Sequence, residues 1–176
     1  MYLDILNIIE EELGSKDYSP DVSNLIKSIY QTGKVFIAGA GRSKMVASMF
    51  AMRLMHCGYG VHIIGDATTP SISKFDLFLI VSNSGETSQL VDFAKRAKGF
   101  GAKIILVTSN KESTIGSLSD HVIQIGCSSR NIENVLPLGG RFELSTLIFL
   151  ESVIIEIMKD NDLIDEDLAA VHANLE

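Results

Sequence analysis

Three hydroxyls and a glycine fall within six residues at Ser82-Asn83-Ser84-Gly85-Glu86-Thr87. They follow an apolar run, and a helical pattern begins at Thr87. The first N–H groups of a helix have no partner inside it and point back at the preceding loop. The helix dipole adds partial positive charge there. Gly85 lets the backbone turn tightly and come close to a ligand. The Ser and Thr hydroxyls supply further donors. Together these groups form a phosphate cradle that needs no Lys or Arg. An ordinary capped helix start asks for one residue only, Ser84 or Thr87. It does not explain three hydroxyls around a glycine after a buried strand.

A second loop, Gly39-Ala40-Gly41-Arg42-Ser43, follows the apolar Val35-Phe36-Ile37-Ala38. Gly-x-Gly after a strand also opens a dinucleotide fingerprint. The third glycine of that fingerprint belongs at position 44, which is Lys44, and Asp66 is far from Gly39 for a ribose-binding acid. Ser43 fits better as another hydroxyl facing the same ligand, with Arg42 beside it. Arg53 lies ten residues beyond Ser43, about 15 Å along a helix axis. It suits a salt bridge or a subunit contact.

Glu143 starts a long apolar helix after a glycine-rich loop. It is the candidate base, although a carboxylate there also favours the positive helix end. Histidine as a residue type suits acid or base work near neutral pH, which makes His172 the candidate partner. Read without further context it is equally an exposed tail histidine. His62 and His121 lie in strands, and His56 ends a helix. Cys57 and Cys127 make neither a disulfide framework nor a metal site. No His/Cys/Asp/Glu grouping has metal-ligand spacing.

The elements that hold these loops read from periodicity. Helical spacing covers 3–13, then a second helix runs from an Asp21 N-cap to Tyr30. Strands are expected at 35–38, 61–64, 76–82, 103–108 and 121–125. Helices are expected from a Ser43 cap to His56, and at 87–100, 113–118, 141–159 and 162–174. A loop rich in Ser, Asn and Gly fills 126–139. Strands apolar throughout, alternating with helices, argue for a parallel sheet covered on both faces. The expectation is a three-layer α/β domain, doubly wound around five parallel strands. One domain spans 1–176: N-terminal helices at 1–32, an α/β core at 33–139 and C-terminal helices at 140–176. Ligands in such folds bind beyond the carboxyl ends of the strands, which is where both loops lie.

The chain has 176 residues, 46% of them hydrophobic, and a formal net charge of −7. That charge, with no basic block, argues against nucleic acid. The acidic start lacks the basic region of a signal peptide, and no apolar run reaches the ~18 residues of a spanning helix. A soluble, cytoplasmic protein without a membrane partner is expected.

The Ser-x-Ser-Gly-x-Thr and Gly-x-Gly-Arg-Ser loops resemble the SIS (sugar isomerase) domain, a flavodoxin-like fold. More specifically, the chain resembles the 6-phospho-3-hexuloisomerase family. Phe50-Ala51-Met52-Arg53-Leu54-Met55-His56, Thr68-Thr69-Pro70, Leu136-Pro137-Leu138-Gly139, Phe142-Glu143 and His172-Ala173-Asn174-Leu175-Glu176 carry the match, in order along the chain. The resemblance implies an enzyme interconverting 3-hexulose 6-phosphate and fructose 6-phosphate through a cis-enediol. It implies no metal and no cofactor, and a homotetramer built as a dimer of dimers. It implies Glu143 as the base and His172 acting from a neighbouring subunit. Arg42, Ser43, Ser82, Asn83, Ser84, Gly85, Glu86 and Thr87 become the substrate-binding set. Lys44, Ser48, Gly140, Arg141 and Val171 depart from the family pattern and redistribute positive charge near the sugar. A different phosphosugar, or a non-catalytic phosphosugar-binding module, are the alternatives.

Overall fold

A computed structural model of the chain describes residues 2–126 and 136–175. Cys127, most of the 126–139 loop and the terminal Glu176 lie outside the described residues. Five parallel strands, β1 (Val35–Gly39), β2 (Val61–Ile63), β3 (Leu77–Val81), β4 (Lys103–Thr108) and β5 (His121–Gln124), form one sheet in the order β2-β1-β3-β4-β5. This is the doubly wound order in which the winding direction reverses between β1 and β3. The helices are α1 (Tyr2–Leu13), α2 (Ser19–Tyr30), α3 (Gly41–His56), α4 (Ser88–Gly99), α5 (Thr114–Leu118), α6 (Gly140–Asp160) and α7 (Asp165–Ala170).

Side chains alternate across a strand, so each strand feeds two cores. Val35, Ile37, Leu77 and Leu79 face one layer, where α2, α3 and α6 bury Leu25, Phe50, Leu54 and Val153. Phe36, Phe78, Ile80 and Ile104 face the other, against Leu90 and Ala94 of α4 and Ile115 of α5. Both faces of the inner strands β1, β3 and β4 are covered, which is why these read as nearly continuous apolar runs. The edge strands β2 and β5 are mostly half-buried and carry His62, His121 and Gln124. The three-layer, doubly wound expectation holds.

Three boundaries differ from the sequence reading. Asp21 is not the N-cap of α2: that helix begins two residues earlier, with Tyr18 at the cap and Pro20 in its first turn. Proline is preorganised for a first helical turn, and Asp17 Oδ1 accepts the Ser19 N–H at 2.9 Å. Ser43 does not cap α3 either. Ala40 is the extended N-cap residue, and Ser43 lies inside the first turn. The C-terminal helix is much shorter than 162–174. Asp162 turns into the left-handed region at φ 53°, and Ile164 is extended with its N–H bonded to Asp167 Oδ2 at 3.0 Å.

The register puts Gly39 level with Val81 across the β1–β3 pair. The loops that follow these two strands therefore leave the sheet side by side, at the reversal point. Gly39 permits this closeness. A Cβ there would sit 2.8 Å from the Lys44 backbone nitrogen, so only glycine lets α3 pack so near β1.

Candidate active site

The 82–87 loop is held from below by the ends of β3 and β4. The Ser82 hydroxyl is buried and accepts the Gly85 N–H at 3.2 Å. The Asn83 carbonyl accepts from the hydroxyls of Thr108 and Ser109, both at 2.9 Å. Asn83 Oδ1 takes the Ser109 hydroxyl at 2.6 Å, which fixes the amide and turns Nδ2 the other way. Gly85 has φ +65°, and a Cβ on it would lie 2.1 Å from Ser113 Oγ. No other residue fits that turn. The Glu86 carboxylate accepts the Thr114 N–H at the start of α5, at 2.7 Å. That bond holds its carboxyl below the usual carboxylate range.

These bonds divide the predicted binding set. Ser82, Asn83, Gly85 and Glu86 are engaged in shaping the loop. Thr87 sits at the N-cap of α4, yet its side chain makes no capping bond, so the hydroxyl is not spent on the helix. Ser84 Oγ accepts the Glu86 N–H at 3.2 Å, which leaves its own proton to donate. Across the reversal point, Ser43 stands half-buried in the first turn of α3.

Glu143 lies in the first turn of α6, and only 9% of its side chain is exposed. Gly139, in the left-handed conformation, is the N-cap residue of α6. A Cβ at Gly139 would fall 3.6 Å from Glu143 Oε1 and 3.5 Å from Asn83 Nδ2. The bare glycine therefore leaves the carboxylate and the Asn83 amide close to one point that no side chain of its own fills. Arg42 Nε donates to Glu143 Oε2 from the start of α3. A cleft of ≈ 270 Å³ opens beside these groups, lined in part by Asn83, Ser109, Gly126, Gly139, Arg141 and Phe142. A space of this size suits a small phosphorylated ligand.

The departing residue Arg141 has a clear anchor. Its Nε lies 3.3 Å from Glu12 Oε2, a carboxylate of α1 with no exposure. Lys44 points elsewhere: its Nζ lies beside the Gly65 turn. Ser48 bonds back to the Lys44 carbonyl at 2.8 Å. Arg53 faces Glu151 of α6 at 4.0 Å, which fits the first of the two roles expected for it, a salt bridge or a subunit contact.

His172 is not brought to Glu143. It follows α7 and lies beside His56, with ring centroids 5.3 Å apart, at the far end of α3. A helix of that length puts about 22 Å between His56 and the Arg42 end. Burial, then the nearby His172 and Arg53, push the His56 imidazole below its ordinary range. Sequence reasoning missed two neighbours. Ser109 locks Asn83, and the strand-end rule applied to β4 points to it. The His56–His172 contact spans the chain and leaves no local signal. Among the described residues, no cluster of three or more His, Cys, Asp or Glu could hold a metal ion, and no helix is long and apolar enough to cross a membrane.

A glycine-turned hydroxyl loop at a helix start, set at the reversal point of a 2-1-3-4-5 sheet, defines a phosphosugar-type α/β site. The chain belongs to the SIS domain family, whose profile matches residues 28–134. It is similar to the 3-hexulose-6-phosphate isomerase of Methylomonas aminofaciens, with 41% identity over 92% of this chain and 90% of the relative. The Bacillus subtilis 3-hexulose-6-phosphate isomerase is 36% identical over 98% of this chain and 97% of its own length. A solved Methanococcus jannaschii structure, described as inferring a molecular function of 3-hexulose-6-phosphate isomerase, superposes with a TM-score of 0.87 at 34% identity, covering 98% of this chain and 96% of that one. The matched SIS segment contains the 82–87 loop, while Glu143 and His172 lie beyond it.

Proposed function

We propose that the chain isomerises 3-hexulose 6-phosphate to fructose 6-phosphate through a cis-enediol. The observation that carries the reading is the near-buried Glu143 carboxylate sharing an open space with the amide of the hydroxyl loop. Full-length likeness to 3-hexulose-6-phosphate isomerases supports it. The phosphate end binds the N-terminus of α4 and the hydroxyls of Ser84, Thr87 and Ser43. Ser82, Asn83, Gly85 and Glu86 keep that loop in shape.

With the phosphate fixed, the C2–C3 end of the sugar lies against Glu143. Glu143 removes the proton from C2, and the electron pair forms the C2–C3 double bond. The C3 carbonyl oxygen takes up a proton and becomes a hydroxyl. In the second half the C2 hydroxyl gives up its proton, the C2 carbonyl forms, and C3 accepts a proton. His172 supplies the acid from a neighbouring subunit, since its place at the far end of α3 keeps it from the site of its own chain. That role requires an oligomer, and a cytoplasmic homotetramer assembled as a dimer of dimers satisfies it.

The test is direct. Fructose 6-phosphate formation is followed with wild type and Glu143→Gln. The variant loses about 10²–10⁴-fold in kcat, the range for a general base. Full activity in the variant removes Glu143 from the base role. Tight binding of 3-hexulose 6-phosphate without turnover by the wild type replaces the enzyme with a binding module.

A further inference from the structure

Arg42 and Glu143 meet from the first turns of two helices, 101 residues apart in sequence. The pair is asymmetric: the Arg42 side chain is 67% exposed, the Glu143 side chain 9%. A carboxylate taken out of water needs a paired cation, and Arg42 supplies it through Nε. The bond goes to Oε2. The other oxygen, Oε1, is the one that faces Gly139, within reach of the same point as Asn83 Nδ2. Because Gly139 has no side chain, nothing of its own fills that space.

We infer that Arg42 is a positioning residue acting through Glu143, rather than a ligand of the phosphate. It pins Oε2, so that Oε1 is the oxygen that takes the sugar proton. This rests on Glu143 being the base. The planar guanidinium holds its Nε–H in a fixed direction, so one bond to Oε2 sets the carboxylate's orientation, which a freely rotating ammonium does less well. Exposure of the remaining side chain lets the pair form without desolvating the cation fully.

The experiment is a double-mutant cycle on the intact protein, with kcat and KM for 3-hexulose 6-phosphate and inhibition by inorganic phosphate. Arg42→Met lowers kcat roughly 10–100-fold, while KM and the phosphate inhibition constant change less than about threefold. Arg42→Lys recovers part of the loss. On the Glu143→Gln background, Arg42→Met costs nothing more, because residues acting as one unit are not additive. Thermal melting checks folding, and Arg42→Lys carries the test if Arg42→Met does not fold. A rise of about tenfold or more in KM and in the phosphate constant makes Arg42 a phosphate ligand and overturns the inference. So does the full Arg42 loss repeated on the Glu143→Gln background, which leaves the base assignment standing. Full activity in Glu143→Gln alone sinks the base assignment itself.

Discussion

At the scale of single residues, the site depends on two glycines that leave room for polar groups. Gly85 adopts φ +65°, and its missing Cβ would lie 2.1 Å from Ser113 Oγ and 2.5 Å from Ser113 Cβ. The hydroxyl can rotate away, but the Cβ cannot without moving α5. Gly85→Ala therefore adds a left-handed penalty of about 1–2 kcal/mol to a steric one. We expect Gly85→Ala to lower Tm by roughly 5–10 °C and to weaken phosphosugar binding at least about tenfold. Calorimetry and a binding titration check both; an unchanged Tm with unchanged affinity would show that the loop does not need this turn. The type of residue at 82–87 was readable in the sequence. The division of labour was not, because it depends on partners such as Ser109 and Thr114, which lie 26 and 28 positions away. Likewise Glu143 was legible as a carboxylate at a helix start, but its pairing with Arg42 crosses the fold.

At the scale of elements, α3 joins two ends with different electrostatics. Its first turn meets Glu143, and its last residue, His56, is buried against the chain that follows α7. Burial disfavours the charged imidazole, and His172 and Arg53 repel it further. Its folded pKa is therefore below the ordinary 6.5. As pH falls below that value the unfolded chain takes up a proton that the folded chain resists, so stability rises with pH across this window. The contribution is complete above 6.5, and it is lost on acidification until the folded state protonates too. His56→Gln should show a smaller drop in Tm between pH 7.5 and 5 than the wild type, by parallel melts. An equal drop in both would remove His56 as the cause. The strands around α3 were legible because buried parallel strands are continuous apolar runs. The end of the chain was not. Its acidic residues lack apolar periodicity, and the turn at Asp162 and the extended Ile164 break what reads as one helix from 162 to 174.

At the scale of the whole molecule, the described surface is unusually apolar in places. Met45, Met49, Met52 and Met55 are all exposed along α3, and Leu3 and Leu6 of α1 and Ile148 and Ile155 of α6 are exposed as well. The methionines are three or four residues apart, so they form one stripe. Contiguous apolar patches on a polar rim mark association sites, and methionine adapts to a partner's shape. Such an oligomer would solve the problem that His172 poses. Its own Glu143 lies near the opposite end of α3, about 22 Å away, so a catalytic His172 has to serve a neighbour's site. Subunit mixing tests this without a structure. Glu143→Gln and His172→Gln are each made nearly inactive, then unfolded together, refolded and assayed. If His172 acts across an interface, mixed oligomers contain sites built from an intact Glu143 of one chain and an intact His172 of the other. Activity then returns in the mixture but in neither variant refolded alone. If every site were built within one chain, no mixed site would hold both groups and the mixture would stay inactive. If His172→Gln is fully active alone, the histidine has no catalytic role. Sedimentation of Met49→Asp/Met52→Asp gives the matching physical result. The charged stripe should yield smaller species, and where assembly is lost, His172-dependent activity should be lost with it.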